Sequence, residues 1–189
     1  MPLSAKIDSN ILCLHGGISP LLASINQLKM LERPCSNFSD KLISDILWSD
    51  PRDVDDFERS DRGLGCYFGE AHLKSFLEDN HLNLLVRAHE CVYECKYTHD
   101  NMCLTVFGAS NYCGLSGNKA SVLIIHSANE REIGNFDPMR YLTREDVTFK
   151  KISYHFRSSS STAFTKRLVL LPNKRLNKRN TKTILPMLI

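Results

Sequence analysis

The chain has 189 residues, 42% of them hydrophobic and 24% charged, with a formal net charge of +3. That size fits one globular domain plus a tail, and the apolar runs are far too short to span a bilayer. The seven cysteines are odd in number, follow no signal-peptide h-region and sit partly inside apolar runs, which predicts buried, reduced thiols in a soluble intracellular protein, cytoplasmic or nuclear, and argues against a disulfide framework.

The charge is unevenly placed. From Lys150 onward there are ten basic residues and no Asp or Glu, so residues 1–149 hold 14 basic and 21 acidic side chains, a net of −7. The composition predicts an acidic body, residues 1–128, and a divergent basic tail, residues 129–189, that is partly disordered. Such tails are commonly just solvated, and a nucleic-acid role is not favoured. Cys91 and Cys95 have no second pair at zinc-ribbon spacing.

In chain order, residues 10–14 read as a short buried strand running into His15-Gly16-Gly17. Two glycines after a strand permit a tight turn and close backbone approach to a ligand. Residues 21–31 have helical spacing through Leu21, Leu22, Ile25, Leu28 and Leu31, which Arg33-Pro34 breaks. Ser39-Asp40 caps a second predicted helix, with Leu42, Ile43, Ile46 and Leu47 as its buried stripe. It ends in Trp48-Ser49-Asp50-Pro51, where the only Trp is expected to pack under the turn. Residues 52–61 form a charged loop of mixed sign, expected to be solvated surface. Arg62, next to Gly63, can bring a planar fork of donors onto a phosphate or carboxylate, the alternative being a surface arginine in a flexible loop.

Residues 70–80 predict an amphipathic helix with Ala71, Leu73, Phe76 and Leu77 inward. Leu84-Leu85-Val86 then delivers Arg87, His89 and Glu90 at the end of an apolar strand. Such an end can hold a metal ligand or a catalytic base rigidly. Residues 91–97 and 102–107 predict two strands about a polar turn, residues 108–114 a loop, and residues 121–126 the last strand. This order predicts an α/β fold of the layered, α+β kind.

Five stretches now fall in order: Leu14-His15-Gly16-Gly17-Ile18-Ser19-Pro20, Leu47-Trp48-Ser49-Asp50-Pro51, Asp61-Arg62-Gly63 with Tyr67-Phe68-Gly69, Arg87-Ala88-His89-Glu90, and Asn111-Tyr112-Cys113. Together they resemble the C-terminal half of the phosphoprotein phosphatase family of Ser/Thr phosphatases, within the calcineurin-like metallophosphoesterases, from residue 5 to residue 127. The resemblance implies a partial metallophosphoesterase β-sandwich with flanking helices, its N-terminal half absent. It implies hydrolysis of phosphoserine and phosphothreonine in proteins, with two divalent ions (Mn, Fe or Zn) activating water for in-line attack on phosphorus. By the same resemblance His15 and His89 match two ligands of one metal, and Arg62 matches a phosphate-clamping arginine. Tyr112 matches the tyrosine of a loop overhanging the metals, where substrates and inhibitors bind. Asp50 and Glu90 are expected to orient other groups or to be structural. Phosphoprotein substrates and regulatory subunits are the implied partners.

The departures bear on activity. The family's Gly-Asp-x-His-Gly, Gly-Asp-x-x-Asp-Arg-Gly and Gly-Asn-His-Glu motifs, which supply the other metal ligands, a second phosphate arginine and the general acid, do not occur in this sequence. A stable catalytic metal site needs three protein ligands or more, so the chain alone is expected to be a truncated, catalytically incomplete form. The alternative is a non-catalytic remnant that binds partners, and a separately encoded N-terminal half would complement it. Halving a layered fold is expected to expose sheet edges and an apolar face. Gly108-Ala109-Ser110-Asn111-Tyr112-Cys113 has Ser where the family commonly has Pro, which is expected to loosen that loop.

Overall fold

A computed structural model describes residues 2–35, 37–127 and 130–138; the remainder of the basic tail lies outside the described residues. The centre is a five-stranded sheet ordered β1(Ser4–Ile7), β2(Ile11–Leu14), β6(Leu84–Arg87), β8(Cys103–Val106) and β7(Cys95–Thr98). Its three inner strands run parallel, and an antiparallel hairpin closes each edge. Parallel strands covered on both faces must be apolar on both, which is why β6 and β8 read as continuous buried runs. The edge strand β1, Ser-Ala-Lys-Ile, is half-exposed and has no such run, so no apolar pattern marks it.

Three helices, α1(Ile25–Met30), α2(Lys41–Trp48) and α3(Glu70–Asp79), cover one face of this sheet. Leu28, Ile46 and Leu73 pack there on Leu12, Leu14 and Leu85. On the other face Ile11, Leu84, Val86, Leu104 and Val106 meet Leu123, Ile125 and Ile133 of a hairpin, β9(Ala120–Ser127) and β10(Glu130–Phe136). A small sheet of β3(Asp50–Pro51), β5(Cys66–Phe68) and β4(Glu58–Arg59) completes the body. The layered α/β fold expected from the sequence is the fold observed.

Several local expectations need correction. The first helix begins only at Ile25, because Ser24 and Gln27 form a reciprocal capping box there, and Leu21 is left outside it and exposed. The second begins where expected, with Asp40 Oδ1 accepting from Ile43 N at 3.0 Å. Ala71 is exposed rather than inward. Beyond the last strong strand expected at 121–126, β10 follows β9 and pairs with it antiparallel. Both faces of the central sheet are covered, against the open apolar face expected of half a layered fold. Of the seven thiols, all free, Cys66 and Cys103 are buried, whereas Cys91 and Cys113 are exposed.

Candidate active site

Because β2 and β6 are parallel neighbours with Cys13 opposite Val86, the residues that follow them emerge side by side. Ala88 N donates to His15 O at 3.0 Å, and the imidazoles of His15 and His89 stand edge to face with centroids 5.2 Å apart. Gly16 lets the end of α2 close on this point, since a Cβ there would lie 2.6 Å from the Leu47 carbonyl carbon. His89 has φ +53°, and Glu90 N donates to Ala88 O at 2.6 Å, closing a tight turn around it. A positive φ at a non-glycine residue is strained, and such strain clusters at functional sites.

His89 Nε2 is buried without a hydrogen-bond partner among the described residues. Burial lowers the His89 pKa to about 4, helped by the positive charges of Arg87 and Arg62 and by His15 and only partly opposed by Asp50. Burial and Arg87 lower that of His15 as well. Both rings are therefore neutral at pH 7, each with a ring nitrogen able to accept or to ligate. Trp48 does not pack under its turn. The residue is 38% exposed, and its ring stands edge-on to His89 at 5.2 Å.

Beside the histidines lies a buried ionic cluster. Asp50 is fully buried; its Oδ1 accepts from Arg87 Nη2 at 2.6 Å and its Oδ2 from Arg62 Nε at 2.7 Å. Burial alone would raise the Asp50 pKa, but the bonds and charges of Arg62 and Arg87 outweigh it and hold the carboxyl below its ordinary value. Arg87, also fully buried, donates further to Gly16 O at 2.7 Å, Ser49 O at 3.1 Å and Glu90 Oε2 at 3.1 Å. Glu90 Oε1 pairs in turn with Arg52 Nη2 at 2.7 Å, and Arg52 lies over the Tyr67 ring at 5.0 Å. The orienting role expected of Asp50 and Glu90 thus has a physical form: they order three guanidiniums.

Tyr112 sits on the loop after β8, with its ring edge-on to Phe107 at 5.2 Å. The buried Asn118 closes this loop, accepting from Tyr112 N at 2.8 Å and donating to Ala109 O at 2.8 Å and Lys119 O at 2.9 Å. In the absence of the proline, this side-chain clasp constrains the loop. The geometry brings His15 against His89, with Asp50 near His89 and bonded to Arg62, while the contacts of Tyr112 are with Phe107 and the Asn118 clasp. Sequence reading missed Arg52, the convergence on Asp50, and Asn118. A signal for Arg87 was present, since an arginine inside an apolar run requires a buried partner. Nothing in the sequence marked Asn118.

Among the described residues no three or more His, Cys, Asp or Glu side chains are grouped to hold a metal ion. The paired neutral imidazoles, with His89 Nε2 unpartnered, nevertheless fit two ligands of one ion.

The calcineurin-like phosphoesterase family model matches residues 1–93. The chain is 35% identical over 153 residues to the serine/threonine-protein phosphatase 6 catalytic subunit of Drosophila melanogaster, covering 78% of this chain and 50% of that protein. It is 38% identical over 141 residues to the serine/threonine-protein phosphatase 4 catalytic subunit of Saccharomyces cerevisiae, covering 74% and 46%. A solved Saccharomyces cerevisiae protein serine/threonine phosphatase, described as similar to human phosphatase PP5, superimposes with a TM-score of 0.67 at 26% identity, over 75% of this chain and 49% of that one. Fold and site thus define a calcineurin-like phosphoesterase. Within that class the chain belongs to the phosphoprotein phosphatase family of Ser/Thr phosphatases, and it spans about half the length of the curated relatives it matches.

Proposed function

We propose that these residues form one wall of the active site of a metal-dependent protein Ser/Thr phosphatase that removes phosphate from phosphoserine and phosphothreonine. The observation that carries this reading is the pair of neutral, adjacent imidazoles at the ends of two parallel strands, set beside Arg62 and its buried carboxylate. His15 and His89 would hold a divalent ion (Mn, Fe or Zn), which supplies Lewis-acid stabilisation and lowers the pKa of water. Arg62, its Nε fixed by Asp50 and its side chain 38% exposed, presents its remaining donors to phosphate oxygens. Tyr112, on the loop held by Asn118, would contact the substrate next to them. Phosphoproteins are the substrates on this reading, regulatory subunits are the partners, and the setting is intracellular. No helix among the described residues is long and apolar enough to cross a membrane.

Two imidazoles are fewer ligands than a catalytic metal site requires, so these residues act together with a half that brings the other ligands and the general acid. A second reading, a binding protein without turnover, rests on the same ligand count. Co-expression with a family N-terminal half, assayed on a phosphoserine peptide with Mn²⁺, separates the two. Turnover that disappears with His89→Ala or Arg62→Ala supports the phosphatase reading; a folded pair without turnover contradicts it.

A further inference from the structure

We propose that Arg52 is a specificity-determining residue that receives an acidic side chain next to the phosphorylated residue of a substrate. The inference rests on the reading of Arg62 as the phosphate arginine. Both arginines converge on one oxygen: Asp50 Oδ2 lies 2.7 Å from Arg62 Nε and 4.0 Å from Arg52 Nη2. Their side chains are 38% and 39% exposed, whereas Arg87 is sealed in. The cluster contains three guanidiniums (Arg52, Arg62, Arg87) and two carboxylates (Asp50, Glu90), so one positive charge is uncompensated. With Arg87 inaccessible, that surplus is presented to solvent by Arg52 and Arg62.

The setting of Arg52 suits recognition. Glu90 fixes Nη2 at 2.7 Å, Pro51 O accepts from Nη1 at 2.8 Å, and the Tyr67 ring supports the guanidinium plane. A guanidinium has five N–H donors, so donors remain after these two contacts, on a side chain whose rotamers are already restricted. Arg52 also lines an open groove of about 1000 Å³ that runs between the 51–55 segment, α3 and β7. Its lining mixes charges of both signs, Asp53, Asp55, Glu70 and Glu90 with Arg52, Lys74 and Lys96. Neither Lys74 nor Lys96 is in an ion pair among the described residues. A peptide whose phosphate meets Arg62 thus has an ordered cation one step along its path, at the mouth of a groove able to take its flank.

A brace for Glu90 alone would account for the ion pair but would not discriminate between peptides, and that difference makes the test. Two phosphoserine peptides, identical except for glutamate or alanine beside the phosphoserine, and their unphosphorylated forms are titrated against the full chain by NMR. The chain should bind the acidic phosphopeptide about tenfold more tightly than the neutral one at low salt, the size of one charge-assisted contact. Arg52→Ala, and Arg52→Gln as a variant that keeps a polar side chain, should abolish that difference, the acidic phosphopeptide losing about tenfold more than the neutral one. Arg62→Ala should weaken both phosphopeptides alike. An acidic preference that survives Arg52→Gln, or an equal loss for both peptides, overturns the inference while leaving the Arg62 reading intact. Binding that depends on neither phosphate nor Arg62 overturns both.

Discussion

Two regions of this molecule carry site residues, and they are held by different physics. The strand-end region is tied by a largely buried ionic network drawn from three separate segments, joining Gly16, Asp50 and Arg87 with Glu90. The loop after β8 is tied largely from within, its most connected side chain, Asn118, bonding residues within nine positions of it. The first cannot form until the central sheet and α2 are in place, so it should share the stability of the whole fold. The second closes locally and should open locally. Non-local networks set the positions of the groups at the strand ends, and a mainly local clasp sets that of Tyr112.

The comparison breaks hardest at Arg87. Arg87→Met leaves Asp50 and Glu90 short of a buried cation, and should cost about 3–5 kcal/mol of global stability in a denaturant titration. A loss under about 1 kcal/mol would mean that the network is not what holds the strand ends. Alkaline titration acts next on the same sheet. Burial raises the pKa of Cys13 and Cys103 from 9.0 to about 11, so the folded state retains these protons more strongly than the unfolded chain. This contribution is fully present below pH 9 and is lost as pH rises through 11, by up to about 2.7 kcal/mol for each thiol. Cys103→Ala should flatten that decline between pH 9 and 11.

The loop should respond more weakly. Asn118→Ala unpairs the Tyr112 amide and two carbonyls, and should cost about 1–3 kcal/mol. The sharper readout is hydrogen exchange, which should quicken at Tyr112 and stay unchanged in β6. The smallest effect is a difference in thiol labelling at pH 8. The exposed Cys113 should be labelled in the folded protein, and Cys103 only after global unfolding.

What the sequence made legible follows the same division. His15 and His89 stood out because each ends an apolar strand, a pattern carried within a few consecutive residues. Arg62 was legible from its glycine-flanked setting. The ionic cluster was not, because pairings such as Arg87 with Asp50 join residues 37 apart and depend on strand order rather than on periodicity. Arg52 was assigned to a solvated loop for the same reason, since its partner Glu90 comes from another strand end. Trp48 was expected to be covered on hydrophobicity alone, and its contact with His89 requires α2 to end beside β6. The loop clasp escaped notice because one Asn in a polar stretch has no distinguishing pattern.

On the proposed function, His15 and His89 ligate one ion. Trp48, the only tryptophan, stands 5.2 Å from the His89 ring and reports on that site. With a tryptophan-free family N-terminal half co-expressed to bring the other ligands, Co²⁺ should quench its emission in a saturable titration that Zn²⁺ reverses, and His15→Ala or His89→Ala should each remove the saturable phase. Quenching that is unchanged in both variants would contradict the account.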